Sequence, residues 1–279
     1  MMNNEHTIEK CLTEYQSTLE QYNKQVASTF SKENLFEYNE ILLSAHSCAL
    51  EGNSFSVNDT RELKEHGLNL KLQNKSMLEA YEILDHFKAF EYLFTNIELP
   101  LAEQLLIDTH KMLTNNTIQY TKGYAPGEYT RSRMAAGDTI FPDHETSIAS
   151  VPALMEQTQA AVDRKTAHPI EIAAKFHKYF IYLHPFPDGN GRLGRLMSNF
   201  ILAKAGHPLI IIEAKQKEEY INALKFSHKH NDLNVISSFF IQTSINRMKQ
   251  EMDQASQNPV ENNPQKIINN KSRGMKFIF

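Results

Sequence analysis

Apolar residues in the first third of the chain recur at spacings of three and four, as in Leu12, Tyr15, Leu19, Tyr22 and Val26, and again in Leu78, Tyr81, Leu84, Phe87 and Phe90. That period lines one face of a helix, so the region from Thr7 to Phe94 predicts amphipathic helices. Pro100, followed by Leu101, Leu105, Ile107, Met112 and Leu113, predicts another helix that closes at Asn115-Asn116. From Tyr120 to Pro142 the period disappears. Gly123, Pro126-Gly127 and Gly137-Asp138 supply turn signals there, which predicts a loop containing a short hairpin. Helical spacing returns over residues 148–162, 169–183, 192–205, 220–226 and 235–252. The expected fold is therefore all-α, with one small β-hairpin. Residues 1–100 read as an N-terminal helical region, 101–252 as the core, and 253–279, rich in Asn, Gln, Pro and Lys, as a mobile tail.

Composition narrows the class. The 279 residues carry 29 Lys+Arg against 33 Asp+Glu, a formal net charge of −4, which argues against a broadly cationic nucleic-acid binder. A hydrophobic fraction of 41% is enough for a packed core. The most apolar stretch, residues 200–212, is interrupted by Lys204, Gly206, His207 and Pro208, so no membrane span is expected. Only Cys11 and Cys48 are present, and the N-terminus lacks a basic segment followed by an apolar run. A reducing, cytoplasmic location is the expectation.

The chemistry concentrates in His184-Pro185-Phe186-Pro187-Asp188-Gly189-Asn190-Gly191-Arg192-Leu193-Gly194-Arg195. Gly189 to Gly194 matches the dinucleotide-binding G-x-G-x-x-G, with Glu213 at roughly the ribose-binding distance. A Rossmann unit needs a strand before the first glycine, whereas Ile172, Phe176, Phe180 and Leu183 have helical spacing. A helix, a tight turn and a second helix make a different site. Gly189 and Gly191 flank Asn190 and allow close backbone approach, and the helix starting near Arg192 aims unpaired N–H groups at the turn, which forms an anion cradle. Arg192 and Arg195, three apart, add two cationic forks suited to a polyphosphate. Asp188 beside that cradle suggests Mg²⁺ between carboxylate and phosphate, and His184 can accept a proton near neutral pH.

The same twelve residues match every specified position of H-P-F-x-[DE]-G-N-G-R-x-x-R, and on that motif the chain resembles the Fic (filamentation induced by cAMP) family. The resemblance implies a helical core and transfer of AMP from ATP to a Ser, Thr or Tyr hydroxyl of a target protein or of the chain itself. It implies His184 as general base, Asp188 as Mg²⁺ ligand, and Gly189, Asn190, Gly191, Arg192 and Arg195 as phosphate holders, with Phe186 packed beneath. Lys217 to Leu224 is similar to the helix that borders the nucleoside, with Tyr220 at the nucleotide and Lys217 where Arg is more usual.

Upstream, Ser47-Cys48-Ala49-Leu50-Glu51-Gly52 reads as a helix stopping at Gly52, which leaves Glu51 at a C-terminus where the helix dipole favours a cationic neighbour. Ser47, Glu51 and Gly52 match the inhibitory pattern [ST]-x-x-x-E-[GN] of the Fic family, which implies a Glu51 pair with Arg195 that obstructs productive ATP binding. Some relatives use this Glu to remove AMP, so both directions of transfer stay open. Arg131, Arg133, Met134, Ala135, Gly137 and Ile140 mark the stretch that resembles the family's target-binding flap, where an extended segment can add as a strand. A homodimer is compatible with the resemblance. The competing expectations are the same fold with another nucleotide or phosphate donor, and a regulatory protein that binds ATP without transferring anything.

Overall fold

The computed structural model describes residues 2–69, 74–136 and 139–257. Its centre is a helical hairpin of α8 (Pro169–Leu183) and α9 (Asn190–Lys204). Pro169 occupies the first helical position of α8, and His168 and Glu171 close a reciprocal capping box there. α9 is enclosed on nearly all sides, burying Leu193, Leu196, Met197, Phe200, Ile201 and Leu202 together with polar Asn190, Arg192, Arg195, Ser198 and Asn199. Gly194 sets the spacing of the pair. A Cβ there would lie 3.0 Å from Ile181 Cδ1 and 3.2 Å from both His177 Cε1 and Phe180 Cδ1, so a larger residue would push the hairpin apart.

Among the described residues, seven α-helices precede this centre in the chain. α1 (Met2–Gln25) lies along the last helix, α11 (Leu233–Gln257), while α2 (Lys32–Leu50), α3 (Val57–His66) and α4 (Met77–Thr95) form a group beside α9. Ser31, Ser56 and Ser76 cap α2, α3 and α4 through their hydroxyls, and the latter two complete capping boxes with Asp59 and Glu79. α5 (Glu103–Leu113) packs on α4 and α9, and α7 (His144–Arg164) packs on α8. α10 (Lys217–Lys229) packs against α8 and α11. One apolar cluster extends from Ile8 through Phe90, Phe176 and Phe200 to Met252. No helix among the described residues is long and apolar enough to cross a membrane.

The expected hairpin is two residues per strand, β1 (Ala135–Ala136) and β2 (Thr139–Ile140), with Ala135 opposite Ile140 and Ala136 opposite Thr139. Several boundaries differ from expectation. A short helix, α6 (Ile118–Lys122), enters the segment read as loop, because Ile118 is fully buried and anchors one turn. α9 begins at Asn190, two residues before the expected start. α11 continues to Gln257, five residues into the segment read as tail, and the remaining tail from residue 258 lies outside the described residues.

α1, α2 and α11 are tied by a buried polar knot. Glu251 accepts from Tyr22 Oη at 2.8 Å, Tyr38 Oη at 3.1 Å and Arg247 Nε at 2.8 Å, and Arg247 also donates to the Leu209 carbonyl and Asn39 Oδ1. Removing the carboxylate strands a buried guanidinium, so Glu251→Ala should cost about 3–5 kcal/mol of stability, read as a fall in urea midpoint.

Candidate active site

The loop between α8 and α9 is built from within. His184 ends α8 in the left-handed conformation (φ 48°, ψ 53°), a posture costing a non-glycine residue about 1–2 kcal/mol, and Pro185 discourages continuation of the helix. Phe186 is fully buried and stacks on the His110 ring at 3.8 Å. Gly127 N–H donates to His110 Nδ1 at 3.0 Å, which assigns the other ring nitrogen as donor to the Asp188 carbonyl, also at 3.0 Å. His110 thus joins the flap's base to the loop. Thr130 N–H adds a second tie by donating to the Pro185 carbonyl.

Gly189 precedes α9 at φ 77°, and no side chain caps that helix, which leaves the N–H groups of its first turn for an anion. Asn190 was expected among the phosphate holders, but its side chain works inside the loop. Its Nδ2 donates to the Phe186 carbonyl at 2.7 Å and its Oδ1 accepts from Phe186 N–H at 3.1 Å, so it clasps the loop and only its backbone can meet an anion. Asp188 Oδ1 accepts from Gly189 N–H at 2.7 Å, while the carboxylate is 37% exposed. No group of three metal-ligating side chains exists among the described residues. One open carboxylate beside an anion cradle fits Mg²⁺ held mainly by phosphate and water.

The two arginines are buried. Arg195 donates from Nε to Ser47 Oγ at 3.0 Å, and from Nη2 to the Ser47 carbonyl at 2.8 Å and to Glu51 Oε1 at 2.7 Å. Ser47, Glu51 and Arg195, separated by about half the chain, are therefore in direct contact. Gly52, at φ 107°, turns the chain just after Glu51. The Glu51 carboxylate occupies the space a Cβ on Gly191 would need, so it sits against the open end of α9. Burial by itself would raise the Glu51 carboxyl, but Arg195, with Arg192 and Lys217 beyond it, outweighs burial and holds it below the ordinary carboxylate range. Arg192 donates from Nη1 to Glu82 Oε1 at 2.7 Å and from Nη2 to Asp188 Oδ1 at 3.3 Å.

Tyr220, expected to border the nucleotide, has its hydroxyl bonded within the fold. Ser198 Oγ donates to the Gly194 carbonyl at 2.7 Å and so accepts from His177 Nδ1, at 3.1 Å, which leaves His177 Nε2 to accept from Tyr220 Oη at 2.6 Å. Tyr220 is buried and its oxygen faces Arg195, so it props the arginine from below. On the flap, Arg133 Nε donates to the Phe141 carbonyl at 3.0 Å, Phe141 N–H donates to the Met134 carbonyl, Ala135 opens β1, and Gly137 lies outside the described residues. Phe141 stacks flat on the His184 ring at 4.0 Å. Glu82, His110, Phe141 and His177 had no local sequence signal, since each acts through a partner far away in the chain.

His184 is poised as a neutral imidazole. Burial pushes it down to about 4, against the opposing pull of the Ile181 carbonyl and the Glu51 and Asp188 carboxylates.

A helix–loop–helix turn with an uncapped second helix, a buried pair of arginines and an imidazole at the loop's edge define a helical fold with one compact polar site. Residues 100–202 match the model of the Fic/DOC family, and the chain belongs to the Fic family. It is 30% identical over 188 residues to a protein adenylyltransferase Fic of Nematostella vectensis, covering 67% of this chain and 43% of the relative. The Drosophila melanogaster protein of that name is 30% identical over 184 residues, 66% of this chain and 36% of the relative. The chain thus spans less than half the length of these two relatives. A Fic domain-containing signaling protein from Bacteroides thetaiotaomicron has the same fold at TM-score 0.73 and 23% identity, covering 90% of this chain and 96% of its own. A crystal structure of IbpAFic2 with adenylylated Cdc42 superposes at TM-score 0.54 and 19% identity, covering 84% of this chain and 70% of its own.

Proton NMR of the His184 ring should show a titration midpoint near 4. The sign for stability follows. An unfolded imidazole takes its proton near pH 6.5, above the folded value, so the unfolded state binds more protons in between and stability falls as pH drops from about 6.5 to about 4. His110, also pushed down to about 4 by burial, acts in the same direction.

Proposed function

We propose that this chain is an autoinhibited, Mg²⁺-dependent protein adenylyltransferase that moves AMP from ATP to a Ser, Thr or Tyr hydroxyl of another protein. The observation that carries this reading is the Glu51–Arg195 contact at 2.7 Å, set at the open end of α9 and beside an intact His184-to-Arg195 motif. The first turn of α9 has no side-chain cap, and a carboxylate of the chain's own is drawn against it, which supports a polyphosphate as the natural occupant. The names of the curated relatives support adenylyl transfer, and the adenylylated Cdc42 bound to IbpAFic2 supports a protein as acceptor.

In this reading the target hydroxyl approaches His184, whose neutral imidazole takes the proton as the oxygen attacks the α-phosphorus. The new O–P bond forms while the bond from the α-phosphorus to the bridging oxygen breaks, and pyrophosphate leaves with that oxygen. Charge built on the nonbridging oxygens faces the N–H groups of Asn190 and Gly191 and the Arg192 and Arg195 guanidiniums, which are already oriented. Asp188, with its part-exposed carboxylate, would hold Mg²⁺ together with phosphate oxygens, and the ion would supply neutralisation of phosphate charge. Phosphate charge brought beside His184 also raises its affinity for the proton it must accept.

Glu51 opposes this. Its carboxylate repels phosphate from the first turn of α9 and occupies the Arg195 fork that a phosphate needs. The flap supports strand addition, since Ile140 is exposed on β2 and the neighbouring Phe141 touches His184. The two cysteines are unpaired, which supports a reducing compartment such as the cytoplasm.

Incubation with Mg²⁺ and ATP labelled at the α-phosphate tests the reading by intact mass and a lysate label scan. Glu51→Gly should label protein well above wild type, and Glu51→Gly/His184→Ala should lose roughly 10²- to 10⁴-fold of that rate. Binding of ATP by Glu51→Gly with no label on any protein would overturn transfer in favour of nucleotide sensing.

A further inference from the structure

The two arginines of the cradle are held by different carboxylates. Arg195 rests on Glu51, the group that must leave for phosphate to enter under the proposed function, whereas Arg192 rests on Glu82 of α4. Arg192 is 2% exposed, its Nε is buried with no hydrogen-bond partner among the described residues, and its longer contact is to Asp188 at 3.3 Å. The 2.7 Å bond to Glu82 is therefore its main fixed point. Glu82 is itself anchored. Its second oxygen, Oε2, accepts from Asn53 Nδ2 at 2.9 Å; Asn53 Nδ2 also donates to the Glu79 carbonyl, and Asn53 Oδ1 accepts from Phe55 N–H.

We propose that Glu82 is a positioning residue for phosphate binding, a permanent counter-ion that keeps Arg192 aimed at the cradle while Arg195 is the arginine that changes partners. This rests on the polyphosphate reading of the site. Its physical content is a competition of two effects with opposite signs. A carboxylate near a phosphate site lowers anion affinity by its charge, so charge alone predicts that removing Glu82 tightens phosphate binding. Orientation predicts the reverse, because an Arg192 freed from Glu82 turns to Asp188 four residues back and pays the ordering of a long side chain again on every binding event. Burial decides for orientation: Arg192 has almost no contact with water, and a guanidinium there needs a fixed acceptor.

The test uses the Glu51→Gly chain, in which the competing carboxylate is absent. Calorimetry with Mg²⁺ and either ATP or inorganic triphosphate should show binding weaker by roughly 10- to 100-fold in Glu51→Gly/Glu82→Ala, the loss expected for one charge-assisted contact. Glu82→Gln in the same background keeps an acceptor and the side-chain volume, so it should recover part of that loss. Adenosine, which lacks phosphate, should bind both variants as it binds Glu51→Gly. Nitrogen-15 NMR of the unliganded protein adds a readout independent of nucleotide, with the Arg192 guanidinium assigned by its disappearance in Arg192→Lys. Its Nη signals should be separate and slowly exchanging with Glu82 present and averaged in Glu82→Ala. Unchanged or tighter triphosphate binding, or unchanged Nη signals, would overturn the proposal. Weaker triphosphate binding in a Glu51→Gly parent that labels no protein would sink adenylyl transfer and leave the Glu82 assignment standing.

Discussion

Two guanidinium groups, Arg192 and Arg195, lie on the first turns of a helix that is itself enclosed by protein, and each is at least 96% buried. A cation removed from water survives only where carboxylates and carbonyls replace its hydration, because the uncompensated penalty is several kcal/mol per charge. The rest of the N-terminal half can be understood as that replacement. α2 brings the Ser47 hydroxyl and carbonyl and the Glu51 carboxylate to Arg195, and α4 brings Glu82 to Arg192. The helices carrying these groups are stabilised by their own apolar faces, through Cys48, Ile83 and Phe87, so the charge ties are held by packing as well as by attraction.

The same burial explains why the site is stiff at one end and adjustable at the other. His110 clasps the Asp188 backbone to Gly127, Asn190 clasps Phe186, and Tyr220 props Arg195 through a chain of hydrogen bonds ending on the Gly194 carbonyl. These groups are deep in the fold, where desolvation keeps His110 and His177 neutral and therefore able to act as one donor and one acceptor each. Glu51 differs from them. It lies at the end of a helix, its side chain is 39% exposed, and the residue after it is a glycine at positive φ. A part-exposed carboxylate on a short turn can be displaced at far less cost than a buried one.

Sequence spacing was enough for the helices and for the placement of the motif's own residues. The run from His184 to Arg195 has its residues close together in the chain, so their mutual placement follows from helix geometry and from the turn at Gly189. The pair of α8 and α9 was legible for the same reason, since Ile172, Phe176 and Phe180 repeat with the helical period. Boundaries were less so. The extra turn at Ile118 depends on a buried contact, and α11 runs past the point where its composition turns polar.

What the chain determined by itself, then, was a set of amphipathic helices and one glycine-flanked turn with its imidazole, carboxylate and two arginines. Only the tertiary structure decided which carboxylate meets which arginine, that Asn190 serves the loop and Tyr220 the arginine, and that Phe141 covers His184. The reason is physical. Local periodicity encodes which face of a helix avoids water, but the partner of a buried charge is chosen by the packing of helices 110 and 144 residues away in the chain, where no local pattern records it.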